Sequence, residues 1–156
     1  MVAATPEQTV ASRGLALPAP PVPKGAYVPV VVHAGHAYVS GMLPLRDGQL
    51  ISRGLVGGDV TLAGAQEAAR WAALNALSAL RAALGSLDRI ERIVRVGVFV
   101  ASASGFTEQP AVANGASDLL LEVFGEQGRH ARAAVGVARL PLDAPVEVEL
   151  LAAVRP

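Results

Sequence analysis

The chain has 156 residues, 52% of them hydrophobic and only 17% charged, with 13 basic side chains balanced by 13 acidic ones. That length can bury a core without staples. The lack of cysteine excludes disulfides and thiol catalysis, and a net charge of zero with no basic run argues against a surface that tracks phosphates.

Thr5-Pro6-Glu7-Gln8 reads as a helix start: Thr5 can cap, Pro6 suits the first helical position and Gln8 completes a capping box. Gly14 is the stop, so a short helix over about residues 6–13 is expected. The proline-rich stretch Leu17–Gly25 follows as a stiff, extended connector. Tyr27–Ala34 and Ala37–Met42 are β-rich runs about a tight turn and predict a hairpin. Leu43–Gly58 carries Gly48, Gly54, Gly57 and Gly58 and reads as a loop with room for a short strand.

Thr61–Leu84 gives the clearest helix. Asp59 or Thr61 can cap it, Leu62, Ala65, Ala69, Ala72, Ala73, Ala76, Leu77, Leu80 and Leu84 form an apolar stripe, and Gly85 ends it. Arg92–Ala101 is a β-branched, buried strand. A second helix runs from Glu108 or Pro110 to Phe124, stopped by Gly125. Two strands close the chain, His130–Leu140 and Val146–Val154, joined by Pro141–Pro145. The order predicts one α+β domain over residues 1–156, with helices on one sheet face and residues 1–25 as an N-terminal helix and Pro-rich extension. The start of the chain does not read as a secretory signal, and Gly25–Leu45 is broken by Pro29, Gly35, Gly41 and Pro44. A soluble cytoplasmic protein that does not enter a membrane is therefore expected. Mean hydropathy is high, +0.42, which predicts that part of the surface is covered by another subunit.

The segment Gly128–Glu149 carries the candidate chemistry. Period-two alternation puts Arg132, Ala134, Gly136, Ala138 and Leu140 on one strand face, so a guanidinium heads a row of small side chains that leaves room for a ligand. A buried cation needs an anion, and the planar guanidinium fork matches a carboxylate. The structural alternative is an ion pair at a strand end. Glu147 and Glu149 share a face of the last strand. A glutamate in an apolar setting has its pKa raised and can act near neutral pH, while a solvated edge is the plainer reading. If the last two strands pair as a hairpin, Arg132 lies near Val154 and Glu147 near Arg139, roughly 25 Å apart. One small molecule touching both would then need two subunits. Ser40-Gly41 ends the second strand with a hydroxyl and a bare backbone that a ligand can approach. His33 and His36 straddle a turn without a third ligand in range, so no metal and no cofactor is expected. His130 shares the Arg132 face and lines the same cavity or sits at an exposed strand end.

The chain resembles the reactive intermediate deaminase family, RidA/YjgF. The resemblance runs through Gly25-Ala26-Tyr27-Val28, Val39–Pro44, Asn75-Ala76-Leu77, Val96–Val100 and Asn114. It continues in Ala131-Arg132-x-x-Val135-x-Val137-x-x-Leu140-Pro141 and Val146-Glu147-Val148-Glu149. It implies a chorismate-mutase-like α+β fold with one mixed sheet and two long helices on one face, assembled as a homotrimer with sheets inward and clefts between subunits. It further implies hydrolysis of 2-aminoacrylate-type enamine and imine acids to 2-oxo acids and ammonia. Arg132 would hold the substrate carboxylate, Glu147 would position the attacking water, and Tyr27, Ser40, Gly41 and Asn114 would line the cleft. Ala134 stands where archetypal members carry cysteine, and Ser117–Arg132 resembles a divergent branch. A trimer that binds small carboxylates without turning them over is the alternative. RNA cleavage, attributed to some relatives, is disfavoured by the zero net charge and the lack of a basic–aromatic stripe.

Overall fold

The computed structural model describes residues 4–156, so the first three residues of the expected 1–25 extension lie outside the described residues. Helix α1 (Pro6–Ser12) has the predicted capping box: the Gln8 amide donates to Thr5 Oγ1, and the Thr5 amide donates to Gln8 Oε1. The extension is docked to the body. Glu7 accepts from the Leu87 amide at 2.9 Å, and its own amide donates to Asp88.

Strands β1 (Val30–His33) and β2 (His36–Met42) form the expected hairpin, turned by Ala34 and Gly35, both at positive φ. Two left-handed residues match the twist of the flanking strands. Within Leu43–Gly58 a small hairpin forms, β3 (Leu45–Arg46) with β4 (Gln49–Leu50). Helix α2 (Leu62–Leu84) is capped by Thr61, whose hydroxyl accepts from the Gly64 amide, and ends at Gly85, φ 81°. Strand β5 (Ile90–Ala101), helix α3 (Gln109–Phe124), β6 (Ala131–Val137) and β7 (Val146–Val154) complete the chain.

The main sheet has the order β1-β2-β7-β5-β6, and both long helices pack on one of its faces. The alanine stripe of α2 serves that packing, since Ala65, Ala68, Ala69, Ala72, Ala73 and Ala76 are buried to the last atom. Where α2 crosses α3, a Cβ on Gly115 would overlap the Gln66 carbonyl, so the crossing needs a glycine. Each large side chain enclosed between helices and sheet, such as Leu77, Leu80 or Ile93, contributes about 1.5–3 kcal/mol.

The expected pairing of the last two strands fails. β6 and β7 do not pair as a hairpin: β5 lies between them, antiparallel to β7 and parallel to β6. The reason is physical. β5 is the buried centre of the sheet, with Val96, Val98 and Val100 enclosed under the helices, and the α3 crossover delivers β6 beside it in parallel. The Pro141–Pro145 connection carries a 3-10 turn with Leu142 and Asp143 both left-handed. It carries the chain over the end of β5 instead of reversing it tightly. Arg139, expected opposite Glu147, instead pairs with Asp143 at 2.9 Å.

The face opposite the helices is open. Val31, Tyr38 and Val135 are each about half exposed on it, with Phe99 and Leu151 between them. No helix among the described residues is long and apolar enough to cross a membrane.

Candidate functional site

The predicted site residues gather in two groups, one on each side of the sheet. Arg132 pairs with Val96, a core residue, so it points to the helix side of the edge strand β6. There α3 receives it. Arg132 Nη1 donates to Asn114 Oδ1 at 2.9 Å and to Ser117 Oγ at 3.0 Å, and Nη2 donates to the Pro110 carbonyl at 3.2 Å. These acceptors lie on one ridge of α3, at helical spacing. All are neutral. Among the described residues no carboxylate forms an ion pair with Arg132. The guanidinium is thus fixed in direction with its charge uncompensated, and Nε–H and one Nη2–H stay free for a ligand. The small row beyond it is not open space. Ala134 packs on the core, and Gly136 lies beneath Gln109, whose Nε2 a Cβ would approach to 2.9 Å. The row makes room for α3.

Ser117 also meets His130. His130 Nδ1 lies 2.6 Å from the Gly128 carbonyl and Nε2 lies 3.0 Å from Ser117 Oγ. A carbonyl only accepts, so the neutral ring carries its proton on Nδ1 and takes the Ser117 hydroxyl proton at Nε2. The His130 pKa is lowered by burial foremost; the Gly128 contact opposes this, and the Arg132 charge adds to it. A groove of about 420 Å³ opens beside these groups, bordered by Arg132, Ser117, Leu121 and His130. The pair is legible in retrospect, because Ser117 stands one turn beyond Asn114 on the same helix ridge.

Glu147 belongs to the other group. It pairs with Phe99 and points to the open face. Its carboxyl lies on the backbone of Gly41, where a Cβ would overlap Oε1, inside the irregularity of the β2–β7 ladder between Val39 and Met42. Burial, and secondarily the Glu149 charge, raise its pKa above the ordinary value of 4.5. Glu149 folds in the same way over Gly97. Ser40 donates its hydroxyl to the Val28 carbonyl at 2.8 Å, and its amide donates to the Pro29 carbonyl at 2.9 Å. That ties exposed Tyr27 and its neighbours to the bulge. On the core side, the buried Asn75 amide donates to the Leu43 and Leu45 carbonyls and pins the chain just after it.

Arg132 and Glu147 are therefore offset by three residues along the strands and two strands across, roughly 14 Å, not the 25 Å of the hairpin. They also face opposite sides of one sheet. A small molecule cannot touch both in one chain. The need for two subunits therefore holds although the β6–β7 pairing does not. Among the described residues no group of three His, Asp or Glu side chains is arranged to hold a metal ion.

The chain matches the family model described as "YjgF/chorismate mutase-like, putative endoribonuclease" over residues 7–154. It is 51% identical over 139 residues to Protein TCP17 of Trypanosoma cruzi, covering 88% of this chain and 87% of that one. Among solved structures, it resembles protein Atu1372 of Agrobacterium tumefaciens, of unknown function, with a TM-score of 0.89 and 44% identity over 96% of this chain and 92% of that one. It also resembles a Shewanella oneidensis protein described as a putative endoribonuclease, with a TM-score of 0.93 and 36% identity over 97% and 100% of the two chains.

Proposed function

We propose that this chain, which belongs to the YjgF/chorismate mutase-like family, hydrolyses reactive 2-imino acids to 2-oxo acids and ammonia in clefts shared between copies of a homotrimer. The division of the candidate residues carries this reading: Arg132 with Asn114 on the helix side of an edge strand, and Glu147 with Gly41 and Ser40 on the open face. Two copies placing the edge of one against the open face of the other would bring the groups together. The exposed apolar side chains of that face supply the driving force for association.

In such a cleft Arg132 binds the substrate carboxylate through its free N–H groups, which fixes the imine carbon. Glu147, held above the usual carboxylate range, accepts a proton from water as the water oxygen bonds to that carbon. The carbon–nitrogen bond of the resulting carbinolamine then breaks. Glu147 passes the water proton to the nitrogen, the carbinolamine hydroxyl gives its own proton to that nitrogen as it leaves with the bonding electron pair, and a 2-oxo acid and ammonia remain. The imine carbon is electrophilic from the start, so orientation of water and acid suffices. Ala134 in place of a thiol leaves this sequence of steps intact.

The test is direct. Freshly generated 2-aminoacrylate, whose imine tautomer is the substrate, is expected to yield pyruvate and ammonia faster with the protein than without it. Light scattering is expected to give the mass of three 15.9 kDa chains. Carboxylate binding without acceleration would leave a metabolite-binding trimer. RNA breakdown with steep salt dependence would transfer the endoribonuclease description of the relatives to this chain.

A further inference from the structure

We propose that Ser117 and His130 are positioning residues of the Arg132 seat: His130 holds the Ser117 hydroxyl proton, which leaves the Ser117 oxygen facing Arg132 as a pure acceptor. This rests on the reading of Arg132 as the carboxylate seat and says how that seat is oriented. The directions follow from the chemistry of each atom. The Gly128 carbonyl takes the Nδ1 proton, Nε2 takes the serine proton, and the serine oxygen takes Nη1–H of Arg132. A serine hydroxyl without a fixed acceptor can turn its proton toward the guanidinium and lose that bond. Here the ring removes the choice.

The arrangement answers a difficulty of the site. An exposed arginine on an edge strand has many rotamers, and fixing them costs entropy at each binding event. Pro110, Asn114 and Ser117 together hold the fork in one plane, so the ligand meets a preformed cation. Their neutrality matters as much as their geometry, because a carboxylate in the place of Ser117 would occupy the charge that the substrate needs. His130 acts only through Ser117 and does not touch Arg132 by a hydrogen bond.

The full-length chain is titrated with 2-oxobutanoate as the probe by isothermal calorimetry, and turnover is measured in parallel. Ser117→Ala is expected to raise Kd about 5–10-fold, the scale of one net hydrogen bond at a site water can reach, and to raise KM while kcat stays within about two-fold. His130→Ala is expected to give a smaller rise. The double variant is expected to bind like Ser117→Ala alone, because the second residue works through the first. Ser117→Thr, which keeps a hydroxyl, is expected to restore wild-type affinity. Unchanged affinity in Ser117→Ala, additive losses in the double variant, or a threonine as poor as alanine would each overturn the inference. If Arg132→Ala also leaves Kd unchanged, the seat itself is misassigned and both readings fall. If Arg132→Ala abolishes binding while Ser117→Ala does not weaken it, only this inference falls.

Discussion

Replacing Arg132 by alanine is expected to lower kcat/KM for 2-imino acids by about 10²–10³-fold, the loss of a charged, two-pronged hydrogen bond to the substrate. The loss should be in binding as well as in turnover, since the carboxylate is gripped in the ground state too. The variant should fold. The side chain is exposed, and its partners on α3 are neutral groups at the surface that water can satisfy. Arg132→Lys is expected to recover only part of the affinity, because an ammonium cannot reach Asn114, Pro110 and the ligand in one plane. Thermal melts alongside steady-state kinetics check both statements. A fully active alanine variant would remove the basis for the proposed chemistry.

Glu147→Gln is expected to lower kcat by about 10²–10³-fold, the usual worth of a positioned general base, with Kd for 2-oxobutanoate nearly unchanged. Stability should move the other way. The folded-state pKa of Glu147 lies above its ordinary value, so the native state binds more protons than the unfolded chain between the two values. The stabilisation from protonation is complete below the ordinary value and is lost as pH rises through the raised one. At neutral pH the ionised carboxylate therefore weakens the fold, and the glutamine variant should melt at or above the wild-type temperature. The same shift sets the pH profile. Turnover needs the ionised form, so its acid limb should fall above the ordinary carboxylate range. Gly41→Ala should mimic the glutamine variant in turnover, since the added methyl displaces the carboxyl from the backbone it lies on. A glutamine variant that is slow only because it is unfolded would contradict this account.

Local features of the sequence were legible where one or two residues determine them. Thr5 and Gln8 start α1, Thr61 and Gly85 bound α2, and the Ala34-Gly35 turn closes the first hairpin. Strand parity was legible too: Arg132, Ala134 and Gly136 share a face, as do Glu147 and Glu149. Strand neighbours were not. A run such as Ile93–Val100 reads as a strand, but nothing in it says which strands flank it, because pairing across a helix crossover leaves no local signal. The site shows the same limit. Arg132 could be picked out because a cation in an apolar strand is unusual. Ser117 stands out less, since its partner comes from another element and a serine on a helix is ordinary; only its place one turn beyond Asn114 marks it. The row of small residues on β6 reads as ligand space in a sequence that does not show α3 lying over it.

The placement of Arg132 and Glu147 on opposite sides of one sheet has a genetic consequence. On the proposed chemistry, a chain that supplies only the cation and a chain that supplies only the carboxylate would both be defective, yet neither defect would be confined to its own copy. When Arg132→Ala and Glu147→Gln chains are unfolded together and refolded, about a quarter of the shared clefts would draw both wild-type groups, if assembly is random. Activity should then rise from a mixture of two dead proteins, whereas a site complete within each chain would stay silent at every ratio.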